Sequence, residues 1–185
     1  MRSIRNLRSL PAGRSLLAED LLEFHAARLL LLMRYCGAAN RIDGLTKLAK
    51  LDFFVRYPAF FASACEALGK EAPPDALGGV EAPMVRHHYG PWDKRYYHVL
   101  AFLEGAGLVT VTTARGAGGY SFALTTAGAA RADDLAGIPS FEALVLQMRS
   151  VKSVFGGRSG DSIKRFIYEQ FDREVAKRLM GDVIT

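Results

Sequence analysis

The stretch HHYGPWDKRYY, residues 87–97, gathers two histidines, four aromatics, a Gly-Pro pair and a Lys-Arg pair into eleven positions. Residues of these types can hold a metal, relay protons, stack on bases or grip phosphates. Geometry argues against the first two. His87 and His88 are adjacent, so on a strand they point to opposite faces, and no second cluster offers the remaining ligands at a familiar spacing. Ser, His and Asp all occur, but without a nucleophile elbow. The glycine-rich FGGRSGDS at 155–162 lacks the Lys-Ser/Thr ending of a phosphate loop and follows a helix instead of a strand. It reads as a hinge, with Asp161 or Ser162 capping the next helix. The expectation is a non-enzymatic chain with no cofactor. Tyr89-Gly90-Pro91-Trp92 then reads as architecture: Pro91 presets a helix start and Trp92 anchors it in the core. The rival reading makes Trp92 or Tyr89 an exposed stacking surface.

The elements that must position these residues follow from apolar periodicity. A central core helix is expected over 18–36, apolar on most sides, with Glu19 and Asp20 in its first turn and Arg34 in its last. GAAN at 37–40 ends it. Asp43 can N-cap a helix over 44–57, with Leu45, Leu48, Leu51 and Val55 on its inner face and Lys47, Lys50 and Phe54 on the other side. Pro58 suits the first turn of a third helix. The Pro- and Gly-rich 71–83 reads as a loop, and 84–89 as a short strand. A strong helix is expected over 92–105: Tyr96, Val99, Leu100 and Leu103 share Trp92's face, while Lys94, Tyr97, His98 and Ala101 face away. Two β-rich runs around RGAGG make a hairpin over 108–125. Helices then follow from Thr125 or Thr126, over 140–155, and over 161–180.

Helix, helix, strand, helix and two-stranded hairpin is the order of a winged helix-turn-helix. The expected fold is therefore mainly α with a small β-hairpin. It divides into a basic arm (1–17), a winged-helix domain (18–136) and a C-terminal helical extension (137–185). The arm carries four arginines and no acid, which suits either a phosphate-binding segment or a frayed terminus. With 185 residues, half of them hydrophobic, the chain can bury a sizeable core. Its net charge of +5 permits nucleic-acid contact without requiring it. Cys36 and Cys65 read as buried thiols. The aliphatic run LLLLM at 29–33 is far below the roughly 20 residues of a membrane span, and no signal-peptide core follows the basic start, so a cytoplasmic location is expected.

Candidate DNA contacts are Lys94, Tyr97 and His98 on the exposed helix, Lys47 and Lys50, and Arg115 at the hairpin tip. No Asn, Gln or Arg fork sits mid-helix to read base edges, so non-specific contact or a protein partner is expected over sequence readout. On the helix over 140–155, Phe141, Leu144, Met148, Val151 and Phe155 recur at spacings of 3, 4, 3 and 4. That makes a narrow seam which either packs internally or docks on a partner's helix.

Several blocks resemble a known family: residues 29–61 (LLLLMRYCGAANRIDGLTKLAKLDFFVRYPAFF), 85–111 (VRHHYGPWDKRYYHVLAFLEGAGLVTV), 124–135 (LTTAGAARADDL) and 163–171 (IKRFIYEQF). They look like the small middle components of bacterial three-component ABC-ATPase systems, the accessory subunits of Lamassu-type antiphage defence. The resemblance implies a non-enzymatic accessory subunit that binds an SMC-like ABC ATPase near its heads, helps it sense or hold double-stranded DNA, and works beside a separate effector subunit, often a nuclease. It implies no catalytic residue. The YGPW block also resembles other bacterial winged-helix proteins, so a stand-alone transcriptional regulator or antitoxin is the alternative.

Overall fold

The computed structural model describes residues 21–71, 84–87, 90–113, 119–171 and 184, with backbone alone at 85–87. The basic arm, Arg115, His88, Tyr89 and most of the expected last helix beyond Phe171 lie outside this set. The described chain is mostly helical with one small three-stranded antiparallel sheet. Its order is α1 (Leu22–Cys36), β1 (Arg41–Asp43), α2 (Leu45–Arg56), α3 (Pro58–Ala67), β2 (Val85–His87), β3 (Gly90–Trp92), α4 (Tyr96–Gly105), β4 (Val109–Thr113), β5 (Tyr120–Leu124), α5 (Thr126–Ala136), α6 (Glu142–Phe155) and α7 (Gly160–Gln170). The sheet runs β1-β5-β4, while β2 and β3 form a separate two-stranded ribbon.

The hairpin expected over 108–125 is β4–β5, in register from Val109 opposite Leu124 to Thr113 opposite Tyr120. Strand β1 was not expected. The turn after α1 places Ala39 and Asn40 at positive φ and sends the chain along β5, so that Ile42 lies opposite Phe122 and both are buried. Asp43 therefore ends a strand instead of capping α2. Its carboxylate accepts from the Ser121 hydroxyl at 2.7 Å, and α2 starts after Gly44 with no side-chain cap. Pro58 does open α3. Thr125 caps α5 by accepting from the Gly128 amide at 3.0 Å. Ser159, not Asp161 or Ser162, caps α7, accepting from the Ser162 amide at 3.1 Å.

The helix expected from Trp92 begins only at Tyr96. Gly90 at φ +88 lets residues 90–92 turn back as a strand, with Trp92 opposite Val85. The Asp93 carboxylate then accepts the Arg95 backbone N–H at 3.0 Å and starts the helix. Trp92 is nonetheless a core residue, 6 % exposed and edge-on to Tyr96 at 5.6 Å.

One buried apolar cluster runs from α1 through α2, α4 and α6 to α7. Packing is thus continuous across residue 137, where the C-terminal extension was expected to begin. Helix α2 lies at the centre and is buried on every side from Leu48 to Arg56. Helices α6 and α7 cover the side of α2 that carries Lys47 and Phe54. The Phe54 ring stacks on Phe155 at 4.4 Å with the planes 2° apart. Gln147 donates to the Phe54 carbonyl at 3.0 Å, serving a helix-end acceptor that would otherwise be unpaired. The two backbones meet at Gly160, where an added Cβ would lie 2.8 Å from the Lys47 amide nitrogen. Cys36 and Cys65 are buried free thiols. Burial pushes the Cys36 thiol well above its ordinary range, and it donates to the Met148 carbonyl at 3.1 Å.

Candidate functional site

Helix α4 is held by a buried polar network that periodicity did not reveal. Helix α1 contributes His25 and Arg28, α2 contributes Asp52 and Arg56, and the entry to α4 contributes Asp93, Arg95 and Tyr96. Arg28 Nε donates to Asp52 Oδ1 at 2.9 Å, and the Tyr96 hydroxyl donates to Asp52 Oδ2 at 2.7 Å. Arg56 Nη1 reaches Asp93 Oδ2 at 2.8 Å and stands 3.6 Å from Asp52 Oδ2. Arg95 clamps Asp93 with Nε on Oδ1 at 2.9 Å and Nη2 on Oδ2 at 2.7 Å. The two ring nitrogens of His25 face Arg28 Nη1 at 2.9 Å and Arg95 Nη1 at 2.6 Å.

Burial alone would raise the Asp93 carboxyl. The hydrogen bonds from the Arg95 side chain and backbone, with the charges of Arg56 and Arg95, override it and hold the group well below the usual carboxylate range. Burial and the Asp52 charge push the Tyr96 phenol well above its ordinary value, so it stays a donor. Burying charge this deeply is costly unless every partner is present. What the network achieves is placement: two helices and a strand end are tied to the first turn of α4. The sequence signal lay in Arg28, a charge beside the apolar run of α1, and in the i, i+4 pair Asp52 and Arg56.

The network presents α4's outward face. Lys94, Tyr97, His98, Ala101 and Phe102 are exposed there, Tyr97 by 62 % and Phe102 by 42 %. Lys94, Tyr97 and His98 are thus where the helical wheel put them, although Lys94 precedes the helix. Phe102 was missed; it lies at the edge of the apolar arc and was read as neither core nor contact.

The two α2 lysines are corrected. Lys50 is fully buried, and its Nζ donates to the Pro91 carbonyl at 2.8 Å beneath the β2–β3 ribbon. Burial, with a contribution from the Lys164 charge, pulls its pKa down to about 7. It cannot meet a phosphate from there. Lys47 is half-buried and engaged with the Gly156 carbonyl at 2.8 Å. For the seam, the structure takes the first of the two readings, internal packing. Leu144, Met148, Val151 and Phe155 are buried and Phe141 is partly so, stacked on Phe24 at 6.4 Å. The seam packs internally, so these side chains are not free to meet a partner.

Lys50 gives a pH prediction. Its folded pKa, about 7, lies below the roughly 10.4 of an unfolded lysine. Between those values the unfolded chain holds the extra proton, so this group makes stability rise with pH there; below pH 7 its penalty is complete. Lys50→Met should therefore stabilise the protein by about 2 kcal/mol at pH 6. The gain should shrink toward zero near pH 10, where lysine is neutral in both states and the lost bond to Pro91 counts against methionine. Chemical unfolding at pH 6, 8 and 9.5 reads the trend, and a pH-independent difference would contradict it.

Among the described residues no helix is long and apolar enough to cross a membrane, and no group of His, Cys, Asp and Glu side chains could hold a metal ion. No family model, curated protein or solved structure matches this chain.

Proposed function

We propose that this chain is a non-enzymatic, winged-helix-like accessory subunit whose α4 face docks on a protein partner. The partner that the sequence resemblance suggests is an SMC-like ABC ATPase of an antiphage complex, with an effector subunit such as a nuclease beside it. Support for the winged-helix reading comes from the order α1-β1-α2-α4-β4-β5 and from strand β1 lying against β5 in the sheet β1-β5-β4. The α3 helix and the β2–β3 ribbon are then insertions ahead of the helix that such domains present outward.

The observation that carries the docking reading is the chemistry of that helix. Where a sequence reader would carry bidentate Arg, Asn or Gln side chains, α4 exposes Tyr97 and Phe102, flanked by Lys94 and His98. Exposed aromatics bordered by a few charges are typical of protein interface centres. With Lys50 buried and Lys47 engaged, Lys94 is the one of the three candidate lysines left exposed to meet duplex DNA. DNA contact in this reading is weak and sequence-independent.

A titration of the isolated chain with random and upstream-promoter duplexes at two salt concentrations tests this. The accessory reading expects dissociation constants of about 10⁻⁴–10⁻⁶ M for both duplexes at physiological salt, with affinity falling steeply as salt rises. A stand-alone regulator or antitoxin would instead prefer one duplex by about 10³-fold or more, and that result would overturn the reading.

A further inference from the structure

The sheet β1-β5-β4 has two outer strands, and they are built differently. Strand β1 is three residues long, its ends carry Arg41 and Asp43, paired with each other at 3.1 Å, and Ala38 folds back against it. Shortness and charge are the devices by which sheet edges block stray pairing. Strand β4 has neither. It reads Val109-Thr110-Val111-Thr112-Thr113, five β-branched residues without charge or proline, in unbroken register with β5 and so without a bulge. Thr110, Thr112 and Thr113 are exposed and Val111 is partly so.

The ladder fixes which backbone groups this edge presents. Opposed residues of an antiparallel pair alternate between exchanging both hydrogen bonds and exchanging none. Tyr120 and Leu124 turn their polar groups toward β1: the Tyr120 carbonyl accepts from the Gly44 amide at 2.8 Å, and the Leu124 amide donates to the Asn40 carbonyl at 3.0 Å. Thr113 and Val109 lie opposite these two, with Val111 between, so all three point N–H and C=O away from β5. Among the described residues, those outward groups meet a single partner: Glu104 Oε1 accepts the Val111 N–H at 3.3 Å. One carboxylate at long range stands where a neighbouring strand's carbonyl would.

We propose that the β4 edge is a strand-pairing site for a second copy of this chain, joined antiparallel about Val111. In that register β4 is complementary to itself. Val111 exchanges both bonds with Val111 of the second copy, and Val109 does the same with Thr113. Thr110 faces Thr112 on the exposed side of the sheet. β-Branched side chains opposite one another stabilise a sheet, and no like charges meet along the strand. A two-fold pair is closed, so it ends at a dimer and does not grow into a fibre. Glu104 acts as the gate, because each copy must withdraw its carboxylate before the central bonds form. The join is small, so the dimer is a reversible one. This goes beyond the docking role of α4 and does not rest on it.

Sedimentation velocity on the full-length chain, from micromolar to millimolar concentration, tests the proposal. The unaltered chain should pass from monomer toward dimer as concentration rises. Glu104→Ala removes a competing acceptor from each copy and should tighten the dimer at least about tenfold. Thr110→Lys combined with Thr112→Lys sets lysine opposite lysine across the join and should weaken it at least about tenfold. Both threonines are exposed, so the double variant should keep its fold and thermal midpoint. Hydrogen exchange reads the register: the amides of Val109, Val111 and Thr113 should slow in step with the dimer fraction, while that of Thr110, already bonded to β5, should not. A Glu104→Ala chain that stays monomeric at millimolar concentration overturns the proposal. So does a dimer that the lysine pair leaves unchanged, or one that slows other amides in place of these three.

Discussion

Asp52→Ala is expected to destabilise the protein by about 3–5 kcal/mol, the cost of removing one partner from a buried ionic group. Asp52 is fully buried between Arg28, Arg56 and the Tyr96 hydroxyl. Without it two guanidinium groups lose a carboxylate and the Tyr96 hydroxyl loses its acceptor, all in a place water does not reach. Small domains are stable by only about 5–15 kcal/mol in total, so the variant should sit near the edge of folding. Asp52→Asn should cost less, because an amide oxygen still accepts from Tyr96, but it removes one negative charge from beside Arg28 and Arg56. Denaturant unfolding followed by circular dichroism measures both. A loss below about 1 kcal/mol for the alanine variant would show that the network is not what seats α4.

Met148→Asp should be comparably severe, and its manner of failing is informative. Met148 has no exposed surface, and the thiol of Cys36 donates to its carbonyl. A carboxylate there would be buried in the shared apolar cluster, which costs several kcal/mol. Because α1, α2, α6 and α7 share one cluster, the whole fold should be lost in one transition. Limited proteolysis and near-ultraviolet circular dichroism would show this directly. A resistant fragment ending near residue 137, with only α6 and α7 released, would contradict the single-core account.

Where one side chain's neighbours lie nearby in sequence, the reading from sequence held. Pro58 opens α3 and Thr125 caps α5 because those roles need only local geometry. The β4–β5 hairpin, the buried cysteines and the outward face of α4 followed from alternation, helical period and apolar context. The failures on α2 share one cause, the burial of that helix on all sides. Lys47, Lys50 and Phe54 fall on the side of α2 away from Leu45, Leu48 and Val55, and a two-faced helix would leave the two lysines in water. Helices more than ninety residues downstream cover that side, and nothing local to α2 announces them. The seam on α6 was visible as a pattern, but its partner was not: α6 meets α1 and α2 of its own chain. The ionic network was illegible for a related reason. Its charges come from three separate segments and compensate one another only once those are packed. Strand β1 was missed because three residues, one of them apolar, carry too little period to register.

The central claim is that α4's aromatic face is a protein-docking surface. It is tested most directly by purifying a tagged chain from its source cell and identifying what accompanies it, for the unaltered protein and for Tyr97→Asp combined with Phe102→Asp. Both positions are exposed, so the double variant should remain folded, with a thermal midpoint within a few degrees of the unaltered chain. The account predicts that the unaltered chain retrieves a large coiled-coil ABC ATPase, and that the double variant loses it. Retrieval of the same partner in equal amount by the folded double variant would contradict the claim.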